Sequence, residues 1–201
     1  LDLNDDGLLD IVYANDTFGT GDGLRTLPSG EEVPDTDPGA YYLRCPPTTD
    51  CDYEQRLLGE GRRAWGFYMG VANLFVEGDS EHLFLSDWGA NRLFDLRHDP
   101  PRDYAELLGL DLRDYEGQLL YGWGSLVDDY DRDGKDDLFL TQGMIYDPIG
   151  EGFNAHRDVV LLQRQERFIS LSEEAGISSH NHQDSGHSRR LYSSRGAAKA
   201  D

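Results

Sequence analysis

The sequence predicts an all-β chain assembled from units of four antiparallel strands. Three observations carry that prediction. A nine-residue acidic turn occurs twice, each copy runs into a short apolar segment, and similar segments recur along the chain with similar flanking residues.

The turns read Asp2-Leu3-Asn4-Asp5-Asp6-Gly7-Leu8-Leu9-Asp10 and Asp129-Tyr130-Asp131-Arg132-Asp133-Gly134-Lys135-Asp136-Asp137. Oxygen side chains stand at positions 1, 3, 5 and 9, with Gly at position 6. A hard cation needs this from a short stretch of backbone, since Ca2+ takes about six to eight oxygen ligands. The Gly permits the sharp turn because it has no Cβ to clash at positive φ. The expected ligands are Asp2, Asn4, Asp6 and Asp10 with the carbonyl of Leu8, and Asp129, Asp131, Asp133 and Asp137 with the carbonyl of Lys135. Without an ion, carboxylates about 4 Å apart repel by roughly 4 kcal/mol per pair at an effective dielectric near 20. Oxygen-only ligation favours Ca2+ or Mg2+ over zinc or copper, and the ligand number favours Ca2+. Two calcium sites are therefore expected. A helix-loop-helix site would need a bidentate Glu at position 12, where this chain has Tyr13 and Leu140.

The residues after each turn read as strands. Ile11-Val12-Tyr13 and Leu138-Phe139-Leu140 are short, β-branched, aromatic or aliphatic, and bounded by turn residues. Leu83-Phe84-Leu85-Ser86 matches Leu138-Phe139-Leu140-Thr141, and Trp65-Gly66 and Trp123-Gly124 stand at corresponding places. In the last unit, strands are expected around Val127, over 138–141, over 159–164 and over 167–171, with Gln165-Glu166 as a tight connection. Ser172-Glu173-Glu174-Ala175-Gly176-Ile177 follows as one helical turn capped by Ser172 and ended by Gly176. Four short strands per unit, repeated about every 55 to 75 residues, mark β-propeller blades. The blades are expected over 2–70, 71–124 and 125–194, with 195–201 beginning another. Insertions are expected at 17–38, 99–117 and 147–157, where they would emerge as binding loops. The chain starts and stops within turns of this kind, Asp201 standing at position 1, so it reads as part of a longer array with an incomplete propeller. A third calcium turn would begin at Asp201. The middle unit has lost its ligands: with His82 set against Asp137, positions 1, 3 and 5 are Leu74, Val76 and Gly78. No calcium is expected there.

Composition limits the partners. The net charge is −21, from 39 acidic and 18 basic residues among 201. Nucleic acid is excluded as a partner, since binding it needs a basic footprint. No apolar run is long enough to span a membrane. Cys45 and Cys51 enclose Pro46-Pro47 and are close enough in sequence for a disulfide worth roughly 2 kcal/mol on the chain-entropy model; two free thiols are the alternative. Such a bridge would fit an oxidising compartment. Ser179-His180-Asn181-His182-Gln183-Asp184-Ser185-Gly186-His187 carries catalytic residue types, but triads assemble from distant parts of a fold. It reads as a surface loop. His156-Arg157-Asp158 lacks the glycine-rich loop and strand lysine of a kinase. Trp65, Trp88 and Trp123 read as packing residues.

The stretches Trp123-Gly124-Ser125-Leu126-Val127-Asp128-Asp129, Ser86-Asp87-Trp88-Gly89-Ala90-Asn91-Arg92-Leu93-Phe94 and Phe168-Ile169-Ser170-Leu171-Ser172-Glu173-Glu174-Ala175-Gly176-Ile177 resemble the FG-GAP/VCBS family of integrin-like propeller repeats. Within it they are most similar to the group containing cartilage acidic protein and its bacterial relatives. The resemblance implies a seven-bladed, non-catalytic propeller located extracellularly, at the cell surface or in the periplasm. It implies calcium at the turn positions named above. The expected function is calcium-dependent binding or adhesion to an extracellular protein or glycan, with the remaining blades as intramolecular partners. The alternative is an accessory propeller of a secreted polysaccharide-degrading or other hydrolytic enzyme.

Overall fold

The computed structural model describes residues 10–14, 24–26, 32–34, 40–44, 54–57, 68–76, 80–87, 90–98, 101–113, 117, 119–143, 158–165, 167–171 and 196–199. These form thirteen strands and one short helix. In chain order they are β1 (Ile11–Ala14), β2 (Leu24–Thr26), β3 (Glu32–Pro34), β4 (Ala40–Arg44), β5 (Glu54–Leu57), β6 (Tyr68–Val76), β7 (Ser80–Asp87), β8 (Arg92–Asp95), β9 (Arg102–Asp103), α1 (Ala105–Leu108), β10 (Gly122–Asp128), β11 (Asp137–Gln142), β12 (Val159–Arg164) and β13 (Arg167–Ser170).

Every pairing is antiparallel between strands that follow one another in their sheet. The first sheet is β1-β4-β5, the second β6-β7-β8-β9 and the third β10-β11-β12-β13. Strands β2 and β3 form a separate hairpin within residues 17–38. The all-β expectation therefore holds for the described residues, with two complete four-stranded sheets. The four strands expected in the last unit are all present, and Gln165 makes the tight turn between the last two at φ 51°. The second and third sheets start at Tyr68 and Gly122, so β6 and β10 run across the divisions expected at Val71 and Ser125.

The second and third sheets share a hydrogen-bond skeleton. Leu83 pairs with Phe94, and Leu138 with Leu161. The Tyr104 N–H donates to the Leu93 carbonyl at 2.8 Å, and the Leu171 N–H to the Val160 carbonyl at 3.0 Å. The Asp87 N–H donates to Asn91 Oδ1 at 3.1 Å, and the Gln142 N–H to Asp158 Oδ1 at 2.9 Å. Both clasps use an Asx side chain to join the end of a sheet's second strand to the start of its third.

One expectation is corrected. Residues 99–117 are not simply an insertion between strands. Strand β9 completes the second sheet, and α1 packs beneath it with Ala105, Leu108 and Leu110 buried. The Asp103 carboxylate organises this corner by accepting the N–H groups of Leu93 and Ala105, both at 3.1 Å, and Arg92 Nη1 at 3.0 Å. Gly109 ends the helix at φ 82°, a left-handed conformation that costs Gly no Cβ clash.

The core lies between sheets. Leu74, Phe84 and Leu93 of the second sheet meet Leu138, Leu140, Leu161 and Phe168 of the third, joined by Leu108 and Leu110. A second cluster of Tyr68, Leu83, Leu85 and Phe94 packs against Val12 and Ala14 of β1. The second sheet is thus covered on both faces, which explains its run of apolar residues without strict alternation. At one end the backbones approach closely. A Cβ on Gly70 would lie 2.4 Å from the Trp123 carbonyl oxygen, which accepts the Ser86 hydroxyl. No helix among the described residues is long and apolar enough to cross a membrane.

Candidate metal centre

The second acidic turn joins β10 to β11 and replaces the tight end of a hairpin. Its backbone is folded around its own carboxylates. Asp129 accepts the N–H groups of Asp133 and Gly134 through Oδ1 and Oδ2, each at 2.9 Å. Asp131 Oδ1 accepts the Asp133 N–H at 3.2 Å, and Asp133 Oδ1 accepts the Lys135 N–H at 3.0 Å. Two positive φ angles, 63° at Arg132 and 86° at Gly134, make the bend. A Cβ at Gly134 would meet nothing within 4 Å, so Gly serves the backbone angle rather than a steric limit.

This bend brings carboxylates together. One oxygen each from Asp129, Asp131 and Asp137 lie within 4.8 Å of one another. Oxygens on opposite sides of a Ca2+ ion stand about 5 Å apart, since each bond is 2.3–2.6 Å. The three aspartates could therefore hold one metal ion, and hard oxygen donors suit it to a hard cation. Asp133 takes a different place: its Oδ2 accepts Arg164 Nη1 at 2.9 Å. The other arm of the Arg164 guanidinium pairs with Asp131. A protein cation thus stands against the same carboxylates that an ion would use.

Asp137 differs from the rest because it is fully buried. It accepts the Gln163 N–H through Oδ1 and the Tyr130 N–H through Oδ2, both at 2.9 Å. Burial pushes its pKa up, the two N–H groups oppose that shift, and the charges of Asp131 and Asp133 reinforce it. A bound cation would act in the opposite direction and favour the carboxylate.

The turn also reaches the second sheet. Asp136 Oδ2 accepts the Phe75 N–H at 2.8 Å, and Gln163 Nε2 donates to the carbonyls of Phe75 at 2.8 Å and Asp136 at 2.9 Å. The sequence reading gave no role to Asp136, Gln163 or Arg164. A signal existed for Asp136: position 8 points opposite to position 9 on entering a strand. Gln163 and Arg164 come from the third strand, and only the sheet register brings them to the turn.

For the first turn, Asp2, Asn4, Asp6 and Leu8 lie outside the described residues. Asp10 is described and buried, immediately before β1. It stands where Asp137 stands before the apolar run of β11. In the middle unit, Leu74 and Val76 continue β6 into the core, and Val76 pairs with Ser80 across a connection of residues 77–79. Trp123 is half-buried and donates its indole N–H to the Gly143 carbonyl at 2.6 Å. Trp65, Trp88, Cys45, Cys51, Asp201 and the segments 172–177 and 179–187 lie outside the described residues.

A scan against protein-family models gave no match, and searches of curated proteins and of solved structures gave none at the threshold applied.

Proposed function

We propose that this chain is a calcium-stabilised binding module of FG-GAP/VCBS type. Its stacked sheets serve as blades of a propeller completed by further units. It acts outside the cell or in the periplasm, binding a protein or glycan and carrying out no catalysis. The observation that supports this reading best is the double use of one turn. Asp129, Asp131 and Asp137 converge within 4.8 Å, while Asp136 of the same turn holds Phe75 of the neighbouring sheet. An ion in that turn would fix the contact between two sheets, so its binding energy becomes stability of the array. Calcium fits better than magnesium because the turn offers carboxylate and carbonyl oxygens without the strict octahedron that magnesium demands.

Calorimetric titration with calcium and thermal melting in calcium or EGTA test the proposal. At a hundredfold excess over Kd, calcium should add about 2.7 kcal/mol of stability. Asp129→Ala should remove most of the second turn's share of that gain. Equal melting temperatures in calcium and EGTA, with no heat of binding, would overturn the assignment.

A further inference from the structure

Beside the acidic turn, the second and third sheets leave a cleft of about 890 Å³. Its walls include the Asp95–Arg97 pair from the second sheet and Arg164 and Arg167 from the third, with Leu107 and Ile169 beside them. Leu107 and Ile169 are the two most exposed large apolar residues described, at 64% and 50%. This small gathering of guanidinium and aliphatic groups stands out on a chain of net charge −21.

The three arginines are not equivalent. Arg97 is held by Asp95 in a fork, with Nε–Oδ1 at 2.9 Å and Nη2–Oδ2 at 2.7 Å. Arg164 and Arg167 are direct cross-strand partners in the β12–β13 hairpin. Like charges directly opposite one another on a hairpin repel. That repulsion is relieved here because Asp131 and Asp133 hold the Arg164 guanidinium. Asp131 is one of the three carboxylates that converge for the metal, and Asp133 is the turn's remaining ligand expected from the sequence. Resting on that assignment, we propose that Arg164 is shared between the turn and the cleft, making the cleft a calcium-gated site for an acidic, aliphatic peptide segment. Without calcium, Arg164 neutralises the turn. With calcium, Asp131 and Asp133 turn to the ion and Arg164 is released beside Arg167. Two adjacent guanidiniums then present fork geometry to a carboxylate. The aliphatic walls select the rest of the ligand. A sugar would need a broad aromatic platform, whereas the cleft offers one Tyr, Tyr104, with its ring packed edge-on against His82.

The test uses the full chain and a dye-labelled acetyl-Leu-Glu-Leu-Asp-Leu-amide peptide, read by fluorescence anisotropy in millimolar calcium and in EGTA. Calcium should tighten peptide binding by about tenfold, the gain of one charge-assisted contact. Peptide should tighten calcium by the same factor, because coupling is reciprocal. Arg164→Gln should raise calcium affinity in the absence of peptide and abolish the coupling. Arg167→Gln, at the exposed start of β13, should weaken the peptide and leave calcium affinity unchanged when no peptide is present. Circular dichroism checks that both variants fold. Calcium binding without coupling to the peptide would overturn this proposal and leave the metal assignment standing. No calcium binding in the unaltered chain would sink both. Binding of a sulfated oligosaccharide, lost in Arg167→Gln, in place of the peptide would overturn the ligand class.

Discussion

The second and third sheets carry the same skeleton of hydrogen bonds, yet they finish their first hairpin differently. In the second, Val76 pairs with Ser80 across three residues, and β6 carries apolar side chains to its end. In the third, Asp128 pairs with Asp137 across eight residues rich in aspartate. The buried residue preceding the Leu-Phe-Leu run of the second strand is His82 in one and Asp137 in the other. Arginines fall at equivalent places three residues beyond Phe94 and Leu161. Arg97 closes on Asp95 in its own sheet, whereas Arg164 reaches Asp131 and Asp133 in the turn. The shared skeleton therefore does not depend on the acidic turn. The turn is an addition to a hairpin that can also close by plain strand pairing.

The largest expected effect tests the shared part. Phe84 is fully buried between the two sheets, so Phe84→Ala should cost about 3–5 kcal/mol in denaturant unfolding. The cost should be the same in calcium and in EGTA. A cost present only in calcium would show that the turn, and not the core, holds the sheets together. Gly70→Ala comes next. Its new Cβ would fall 2.8 Å from the Ser86 hydroxyl and closer still to the Trp123 carbonyl, forcing β6 away from β10. Overpacking of this kind costs about 1–3 kcal/mol. An unchanged unfolding midpoint would mean that the two strands separate freely.

Acid should divide the two sheets in opposite directions. Burial would raise the pKa of Asp95, but the hydrogen bonds from Arg97 and the charges of Arg97 and His82 bring it down to about 2. Its stabilising contribution is present above the ordinary carboxylate value and is lost as the pH falls towards about 2. Asp137 has a raised pKa, so in EGTA its contribution is present below the ordinary value and is lost as the pH rises through its folded pKa. Asp95→Asn should flatten the acid limb of the stability curve. Asp137→Asn should abolish the loss of stability with rising pH in EGTA. It should also cost about 1–3 kcal/mol at all pH values, since its amide nitrogen cannot accept one of the two buried N–H groups. Either variant shifting the curve the other way would contradict these assignments. The smallest effect is expected at Lys199, whose ammonium group lies 2.8 Å from an exposed Asp128 carboxylate. Lys199→Ala should leave the melting temperature unchanged, since exposed pairs are screened by solvent.

Much of the third sheet was legible in the sequence because its apolar runs are short and bounded by Gly, Pro and Asp. The turn was legible in part: Asp129, Asp131 and Asp137 converge, whereas Asp133 pairs with Arg164. The fourth strand of the second sheet was not. Arg102-Asp103 is polar, and its strand character comes from the Asp103 carboxylate binding neighbouring backbone N–H groups. A signal was nonetheless present: Ala105-Glu106-Leu107-Leu108-Gly109-Leu110 parallels Ser172-Glu173-Glu174-Ala175-Gly176-Ile177. The hydrogen bonds of Tyr104 and Leu171 fix the same alignment. The role of Arg164 was illegible because its partners lie 31 and 33 residues away. Sequence spacing carries no information about which side chains a register will set side by side.

Phe75 bears on how the molecule avoids its own kind. The residue is 48% exposed near the tip of β6, where an aromatic strand end would ordinarily invite a stranger's backbone. Its N–H and carbonyl are both already engaged, by Asp136 and Gln163. An incoming chain finds no vacant rung there, so the turn that gathers carboxylates also guards the array against fibril-like growth from that point.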